Sequence, residues 1–254
     1  MKVLISPAKS IEIKEVECAV PFSVGHFLKE SSQLINKLNK LSVKKIESLM
    51  HISTDLAQLN HTRFQNWTEP ITIKPEVSPA IFAFNGEVYK GFDAKTLTAQ
   101  QLESAQNKVR VLSGLYGILK PLDLLFPYRL EMGTKWEITP KQKNLYQFWG
   151  NKLSSYLNNE MEKGEVIINL ASNEYFKAID RKVLKHTVIT PVFKEFKNGE
   201  YKIVMMYAKH ARGAMARYIV TNNIDSPEEL KLYNVDDYSF DVNQSTDVEW
   251  VFTR

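Results

Sequence analysis

The sequence predicts an α/β fold in which helices surround a mixed β-sheet, within one compact domain that spans residues 1–254. Short apolar, β-branched segments alternate along the chain with longer segments of helical periodicity, a pattern typical of this class. The pair Asn198-Gly199 stands between two strand-like segments and predicts an antiparallel hairpin. We therefore expect most strands to be joined through helices and one pair to be joined by a tight turn.

The first third of the chain opens with a strand and then becomes helical. Residues 2–6 are apolar and β-branched, and Pro7 ends this strand. Apolar residues then recur with helical spacing in three segments, the second of which begins after Ser42 as its N-cap. We predict helices over residues 27–38, 41–50 and 53–67.

The remaining two thirds alternate between helices and strands. Helical periodicity extends over residues 144–162 and stops at Gly164, and Ser226-Pro227 has the composition of a helix start. We predict strands over residues 108–112, 165–170, 186–196, 201–207 and 248–252, and helices over 98–105, 144–162 and 209–222 and from residues 172 and 226.

Composition points to a soluble protein of the cytoplasm. The chain is 44% hydrophobic and 24% charged, and its single cysteine, Cys18, excludes an intrachain disulfide. The apolar run near Met1 is too short for a signal peptide, and no run reaches the roughly 20 apolar residues of a membrane span. We expect no membrane association.

Positive charge is concentrated in one part of the chain. The net charge is +4, yet residues 181–220 alone carry an excess of +7, whereas residues 225–254 carry an excess of −6. This asymmetry is compatible with a basic face for a polyanion and equally with solvated surface whose charges happen to segregate.

An apolar run with two glycines is the most informative local feature. Gly114 and Gly117 lie three residues apart, and Lys120 follows directly. Glycine lets a backbone approach a ligand closely, so this segment can present backbone N–H groups and one cation to a phosphate. We predict an anionic ligand here.

Two strand exits are further candidates for binding an anion. Ser6 and Lys9 follow the first strand, and Ser172 follows the strand over 165–170 as the N-cap of a helix that contains Lys177. Ligands of α/β folds bind where strands end. The alternatives are an ordinary strand exit with a surface lysine and a cap that acts only on its own helix.

The helix over 209–222 begins with the basic residues Lys209 and Arg212, and Arg217 follows. Cations near a helix N-terminus oppose the helix dipole by about 0.3–1 kcal/mol each, which a bound polyanion would offset. Arg129 and Glu131 could instead be a buried pair. The chain has no GxSxG, HExxH or CxxC motif, and its five histidines lack metal-ligand spacing, so we predict no metal and no cofactor.

Six segments together resemble the YaaA peroxide-stress protein family, also described as DUF328 or UPF0246. The segments start at Leu4, Leu112, Pro127, Leu145, Asn169 and Tyr207, and the ending Val251-Phe-Thr-Arg254 is similar as well. The resemblance implies a cytosolic bacterial protein that limits iron-driven oxidative damage during peroxide stress. It also implies a positively charged cleft, a helix–hairpin–helix-like element and binding to duplex DNA without strong sequence preference. We place that element on residues 113–125.

Two hypotheses follow, and the sequence does not decide whether the chain is an enzyme. The favoured one is a non-enzymatic, DNA-binding protective protein. The rival is an enzyme that acts on a nucleotide or another phosphorylated small molecule in a pocket around Ser6, Lys9 and Ser172, with Asn169, Tyr175 and a carboxylate such as Glu131 or Glu174. The residues predicted to bind DNA or another anion are Ser6, Lys9, Gly114, Gly117, Lys120, Arg129, Lys135, Ser172, Lys177, Lys209, Arg212 and Arg217.

Overall fold

The computed structural model describes residues 1–13 and 15–254. Its strands are β1 (Lys2–Ile5), β2 (Ser10–Ile11), β3 (Ser23–Val24), β4 (Ser78–Pro79), β5 (Phe84–Asn85), β6 (Val109–Ser113), β7 (Gly117–Leu119), β8 (Asp123–Leu125), β9 (Val166–Leu170), β10 (Thr187–Lys197), β11 (Glu200–Lys202), β12 (Ser239–Phe240) and β13 (Glu249–Thr253). Its α-helices are α1 (Leu28–Leu38), α2 (Val43–Met50), α3 (Thr54–Asn66), α4 (Ala80–Ala83), α5 (Glu87–Phe92), α6 (Ala99–Lys108), α7 (Leu145–Trp149), α8 (Lys152–Glu160), α9 (Asn173–Phe176) and α10 (Met205–Thr221). Short 3₁₀ turns cover Ala94–Thr96, Pro227–Leu232 and Val235–Asp237.

One large sheet organises the molecule. Its strand order is β12-β13-β10-β9-β1-β6-β7, and β11 pairs with β10 beside this path. The five strands β13, β10, β9, β1 and β6 are mutually parallel, whereas β7, β11 and β12 are antiparallel to their neighbours. The predicted mixed sheet among helices is therefore confirmed.

The central strands are buried along nearly their whole length. Every residue of β6 is buried, as are the last three residues of β1 and the last four of β9. Parallel strands covered on both faces have such continuous apolar sequences. Helices α6 and α10 both pack against β1, and the wider core extends through α1, α3 and α7. No helix in the described ranges is long and apolar enough to span a membrane.

A close helix crossing holds α10 in place. A Cβ atom on Gly213 would lie 1.8 Å from the carbonyl oxygen of Val88, and one on Gly91 would lie 2.2 Å from that of His210. Glycine at both positions lets the backbones of α5 and α10 touch. This contact fixes the first half of α10 beside the end of β1, where Tyr89 of α5 donates to the carbonyl oxygen of Ser6.

Several predicted boundaries are wrong in detail. The helix predicted over 144–162 is two helices, because Gly150 breaks it with φ 50° and ψ −123°. The strand predicted over 201–207 ends at Lys202, and α10 already begins at Met205. The helical segments 27–38, 41–50 and 53–67 are confirmed within two residues, and the Ser42 hydroxyl caps α2 by accepting from the amide of Lys45.

Candidate functional site

The parallel strands end along one side of the sheet, which we call the carboxyl edge; the side where they begin is the amino edge. In the strand order β10-β9-β1-β6, the chain continues from β1 to β6 in one direction along the sheet and from β9 to β10 in the other direction. Open α/β sheets bind ligands outside the strand ends at such a reversal of strand order. The geometry therefore selects the crevice between the ends of β1 and β9.

Two predicted serines meet in this crevice. The amide of Ser172 donates to Ser6 Oγ at 2.8 Å, and the two hydroxyl oxygens lie 3.3 Å apart. Ser172 is the N-cap residue of α9, as predicted, but its hydroxyl makes no capping hydrogen bond to this four-residue helix. The two strand exits instead form one polar position with two hydroxyl groups.

A chain of charges lies beside the serines. Lys9 Nζ is 2.7 Å from Glu131 Oε2, and Arg129 Nη2 is 3.1 Å from Glu131 Oε1. The Arg129 side chain is 19% exposed, and its Nε is buried with no hydrogen-bond partner among the described residues. The Arg129–Glu131 pair considered from the sequence is real, and it leaves one donor of Arg129 without an acceptor.

The segment that contains Arg129 is tied to the end of β9. The amide of Gly133 donates to Glu174 Oε1 at 2.9 Å. Tyr175 is buried beneath this contact, and burial together with Tyr128, Glu174 and Glu131 raises its pKa. Burial likewise raises the pKa of Tyr128, whose hydroxyl shares a 2.6 Å hydrogen bond with Ser113. Both buried phenols are therefore neutral at physiological pH.

The whole chain matches a known family. A model of the family described as "Peroxide stress protein YaaA" covers residues 1–244. The chain is 48% identical over 254 residues to a UPF0246 protein of Flavobacterium psychrophilum, with 100% of both chains covered. It is 49% identical over 256 residues to one of Shewanella sp. ANA-3, with 100% of this chain and 99% of that protein covered.

This chain belongs to the YaaA peroxide-stress protein family. The resemblance carried by the six segments is confirmed, and three of them contain the carboxyl ends of strands of the large sheet. Segments from Leu4, Leu112 and Asn169 contain the ends of β1, β6 and β9, and the segment from Pro127 contains Arg129 and Glu131. The motifs of this YaaA family member thus gather at the carboxyl edge.

Three further predicted residues extend from this edge into solvent. Lys135 follows the segment tied to Glu174, Lys177 ends α9 with its Nζ 5.1 Å from the centre of the Tyr146 ring, and Lys209 lies in the second turn of α10. All three are exposed, and none forms an ion pair within residues 1–13 and 15–254. Arg212 is half-buried, and its Nε also has no hydrogen-bond partner among those residues.

The glycine run has a different role from the predicted one. Residues 113–125 form the end of β6, a turn, β7 and β8, and not a helix–hairpin–helix. Gly114 and Gly117 are buried: a Cβ on Gly114 would lie 2.2 Å from the carbonyl oxygen of Leu130, and Gly117, with φ 69°, faces the ring of Trp149. Both glycines serve packing, and their placement as phosphate contacts is corrected.

Two predicted cations also serve the fold. Lys120 follows β7, which is antiparallel to β6, so Lys120 lies toward the amino edge. Its Nζ is 3.6 Å from Glu160 Oε1. Arg217 donates to the carbonyl oxygens of Phe92 and Asp93 at 2.9 and 2.7 Å and so caps the end of α5. The structure separates both residues from the Ser6–Ser172 crevice.

The basic stretch 181–220 is divided between the two edges. Arg181, Lys182 and Lys185 precede β10 and therefore lie toward the amino edge, whereas Lys209 and Arg212 are on α10. The local excess of charge therefore does not form one continuous basic face.

Sequence reasoning predicted helices α2 and α3 but not their pairing into a hairpin, and it missed the buried phenol of Tyr128. Helices α2 and α3 are joined by residues 51–53, where His51 has φ 51° and the Ser53 hydroxyl accepts from the amide of Leu56. The adjacent N-caps Ser42 and Ser53, eleven residues apart, were the available signal. In the described part of the chain, no group of three or more His, Cys, Asp or Glu side chains could hold a metal ion.

Proposed function

We propose that this YaaA family member protects the cell during peroxide stress by binding duplex DNA without sequence preference, which helps to limit iron-driven damage. The family match supports the peroxide-stress role. The DNA contact is proposed for the carboxyl edge. Its main support is that the exposed cations Lys135, Lys177 and Lys209 project from this edge without ion-pair partners among the described residues.

The electrostatic argument concerns which cations are available. A surface lysine that is already paired with a carboxylate gains little from a phosphate, whereas an unpaired one can neutralise it and release a counterion. Lys9 is paired with Glu131 but is 65% exposed, so its ammonium can also turn toward a phosphate. The proposed contacts therefore come from several segments around one crevice, as expected for a groove that follows a DNA backbone.

The helical hairpin of α2 and α3 supports the same proposal. Its connection, residues 51–53, is only three residues long, and Ser53 and Thr54 are exposed at the start of α3. Exposed N–H groups at a helix start suit a phosphate. The far end of α3, about 20 Å from this connection, is anchored near the carboxyl end of β6, because Trp67 Nε1 donates to the Tyr116 hydroxyl at 3.0 Å. We propose that the helix–hairpin–helix-like element lies here.

Charge reversal at the two edges tests the proposal. We expect the triple variant Lys135→Glu, Lys177→Glu and Lys209→Glu to weaken duplex binding for all sequences alike. Loss of three phosphate contacts should also lower the slope of log K against log salt by roughly 3, because each contact contributes about 0.9. The matched control reverses Lys163, Lys182 and Lys185, which are exposed toward the amino edge.

Fluorescence anisotropy with a labelled duplex over a salt series measures both quantities. Equal losses in the two triple variants would show that binding follows net charge alone and would remove the carboxyl edge from the proposal. No binding of the unmodified protein at low salt would overturn DNA binding altogether.

A second candidate is an enzyme that acts on a nucleotide or another phosphorylated small molecule. The observation that favours it is the meeting of Ser6 and Ser172 at the reversal of strand order, with the unpaired Arg129 Nε nearby in the charge chain. We expect titration calorimetry with inorganic phosphate and a mixture of nucleotides to detect binding that Arg129→Met abolishes. Binding that is absent, or that Arg129→Met leaves unchanged, would overturn this candidate.

A further inference from the structure

Arg212 is a half-buried arginine without an acceptor. Its Nε is buried and makes no hydrogen bond in residues 1–13 and 15–254, and burial lowers the pKa of Arg212 with no carboxylate acting in the opposite direction. Arg217, further along α10, instead donates to the carbonyl oxygens of Phe92 and Asp93 and to the Thr96 hydroxyl. Because a guanidinium stays charged in proteins and its burial costs free energy, Arg212 suits an anion that these residues do not supply.

The fold directs Arg212 toward the crevice between β1 and β9. Helix α10 starts just after β11, beyond the carboxyl edge, and ends near the amino edge, where the Ile224 carbonyl oxygen accepts from Lys108 Nζ at 2.8 Å. Ala208 and Met215, about one turn before and after Arg212, are buried where α10 packs against β1 and β9. Long side chains on a helix lean toward its N-terminus, so Arg212 extends toward the carboxyl edge.

Further donors lie at the same level of the molecule. Lys209 precedes Arg212 by three residues and so shares its side of α10, and Lys209 is exposed without an ion-pair partner in the described ranges. Helix α5 contacts this part of α10, and its Tyr89 donates to the carbonyl oxygen of Ser6 at 3.1 Å. This contact brings the hydroxyls of Ser6 and Ser172 beside the first half of α10.

The partial burial of Arg212 selects the form of its anion. Phosphates inside a DNA strand lie along a continuous backbone with an ester bond on each side, so they suit exposed side chains such as Lys209. A terminal phosphate has a single ester bond and can enter a crevice ahead of the group that carries it. It also has up to about two negative charges and three acceptor oxygens, which match two cations and two hydroxyls. The carboxylates of this edge are engaged elsewhere, since Glu131 pairs with Arg129 and Glu174 accepts from a backbone amide.

We propose that Arg212 and Lys209 bind a terminal phosphate group in this crevice, with the hydroxyls of Ser6 and Ser172 as further donors. The ligand is a phosphate monoester, supplied by the end of a DNA strand or by a free nucleotide. The planar Arg212 guanidinium makes the deep contact to two phosphate oxygens, and Lys209 makes the outer one. This inference rests on the proposed DNA contact at the carboxyl edge and adds the form of phosphate that the crevice selects.

Fluorescence anisotropy with three internally labelled duplexes tests a DNA end as the source. The duplexes share one sequence and end in 5′-phosphates, in 3′-phosphates or in hydroxyl groups only. We expect the unmodified protein to prefer one phosphorylated duplex by roughly tenfold, the lower range for a hydrogen bond to a charged group. Arg212→Met should lose this preference. Its affinity for the hydroxyl-ended duplex should stay within about twofold, because internal phosphates bind the exposed lysines.

Thermal unfolding with inorganic phosphate or a nucleoside 5′-monophosphate tests a free nucleotide as the source. A ligand that binds only the folded state raises the unfolding midpoint, so we expect a rise for the unmodified protein and none for Arg212→Met. Without ligand, Arg212→Met should unfold at the same temperature or higher, because it removes a half-buried charge that has no partner.

Two further variants serve as controls. Arg181→Met removes an exposed arginine toward the amino edge, and it should keep both the preference and the rise. Arg212→Lys keeps the charge without the planar fork, so it should recover only part of each effect.

Each outcome separates the two proposals. A duplex preference that Arg212→Met loses supports a DNA end as the source, and a rise with nucleotide that Arg212→Met loses, without any duplex preference, supports a free nucleotide. The terminal-phosphate site is overturned if neither effect occurs, if Arg212→Met retains them, or if Arg212→Met without ligand is destabilised; duplex binding then still stands. Failure of the unmodified protein to bind any DNA at low salt overturns the proposed function, and the nucleotide measurement then decides the site by itself.

Discussion

Two arginines at opposite edges of the central sheet, Arg110 and Arg129, differ in how fully their hydrogen-bond donors are used. At the amino edge, Arg110 is 1% exposed and donates from Nε and both Nη atoms to Glu160 and to the carbonyl oxygens of Gln106, Asn107 and Val109. At the carboxyl edge, Arg129 has a single ion-pair partner, and its Nε has no acceptor in the described ranges. Spare hydrogen-bond donors, and not charge itself, therefore mark a surface that is available to a ligand.

The amino edge is closed by several contacts of the same kind. Lys2 Nζ donates to the carbonyl oxygen of Asn107 at 2.7 Å, the amino group of Met1 pairs with Glu165, and Lys108 lies 2.8 Å from Asp225. Lys135, Lys177 and Lys209 at the carboxyl edge extend into solvent, as Lys163, Lys182 and Lys185 do at the amino edge, so only the paired residues close the amino edge. Substitutions at matched positions should therefore affect stability at one edge and binding at the other.

The largest expected effect is the loss of Arg110. Arg110→Met leaves the partly buried Glu160 without its main partner and should lower the free energy of unfolding by about 3–5 kcal/mol. Arg129→Met removes a single ion pair and should change it by less than about 1 kcal/mol. Urea unfolding followed by circular dichroism measures both variants, and equal losses would contradict the distinction between the edges.

The turn after β6 should be the next most sensitive position, because the Leu130 backbone packs directly against Gly114 there. Gly114→Ala places a methyl group against the Leu130 carbonyl oxygen and should cost about 1–3 kcal/mol of unfolding free energy or more. Gly133→Ala is the matched control: its methyl group would meet the movable end of the Glu174 side chain at 3.2 Å. A larger loss for Gly133→Ala in thermal unfolding would show that the segment around Gly133 tolerates a side chain less well than the turn at Gly114.

Acid should loosen the amino edge. Burial alone would raise the pKa of Glu160, but the hydrogen bond and the charge of Arg110, with Lys2 and Lys120, lower it below the ordinary value of 4.5. A lowered pKa in the folded state means that the stabilisation is complete above the ordinary pKa and is lost as the pH falls through the lowered one.

Urea midpoints measured from pH 6 down into the acid range follow this dependence. In that range the unfolded state binds up to about one more proton at Glu160 than the folded state does, and the free energy of unfolding falls accordingly. Glu160→Gln should flatten the acid limb of the curve. Glu137→Gln, an exposed control at 56% side-chain exposure, should leave the limb unchanged. An acid limb of identical slope in Glu160→Gln would place the responsible carboxylate elsewhere.

Much of this contrast was predictable from local sequence. Apolar, β-branched segments predicted β1, β6 and β9. Because residues that follow neighbouring parallel strands lie at the same edge of a sheet, the pairing of β1 with β9 brings Ser6 and Ser172 together. The fate of the two glycines was not predictable, since glycine permits a close approach to a ligand and to another backbone equally well. The Leu130 carbonyl that lies against Gly114 comes from a segment whose path depends on tertiary packing.

The roles of the cations were not predictable either, because they also depend on tertiary contacts. Lys120, Arg217 and Lys177 have the same kind of charge in the sequence, yet one faces the amino edge, one caps α5 and one extends into solvent. Which carbonyl or carboxylate a long side chain reaches is decided by contacts between residues that are distant in the sequence. Arg217, for example, lies more than one hundred residues from the helix end it caps.

The smallest expected effect separates the two serines of the crevice. Ser6→Ala removes the acceptor of the Ser172 amide and should cost about 0.5–1.5 kcal/mol, whereas Ser172→Ala removes only a hydroxyl 3.3 Å from its partner and should cost less. Hydrogen exchange at the Ser172 amide should accelerate in Ser6→Ala and stay nearly unchanged in Ser172→Ala. Equal acceleration in both variants would mean that the Ser172 hydroxyl stabilises the amide hydrogen bond as much as the Ser6 hydroxyl does. The hydroxyl of Ser172 would then belong to the structure of the crevice and would not be free for a ligand.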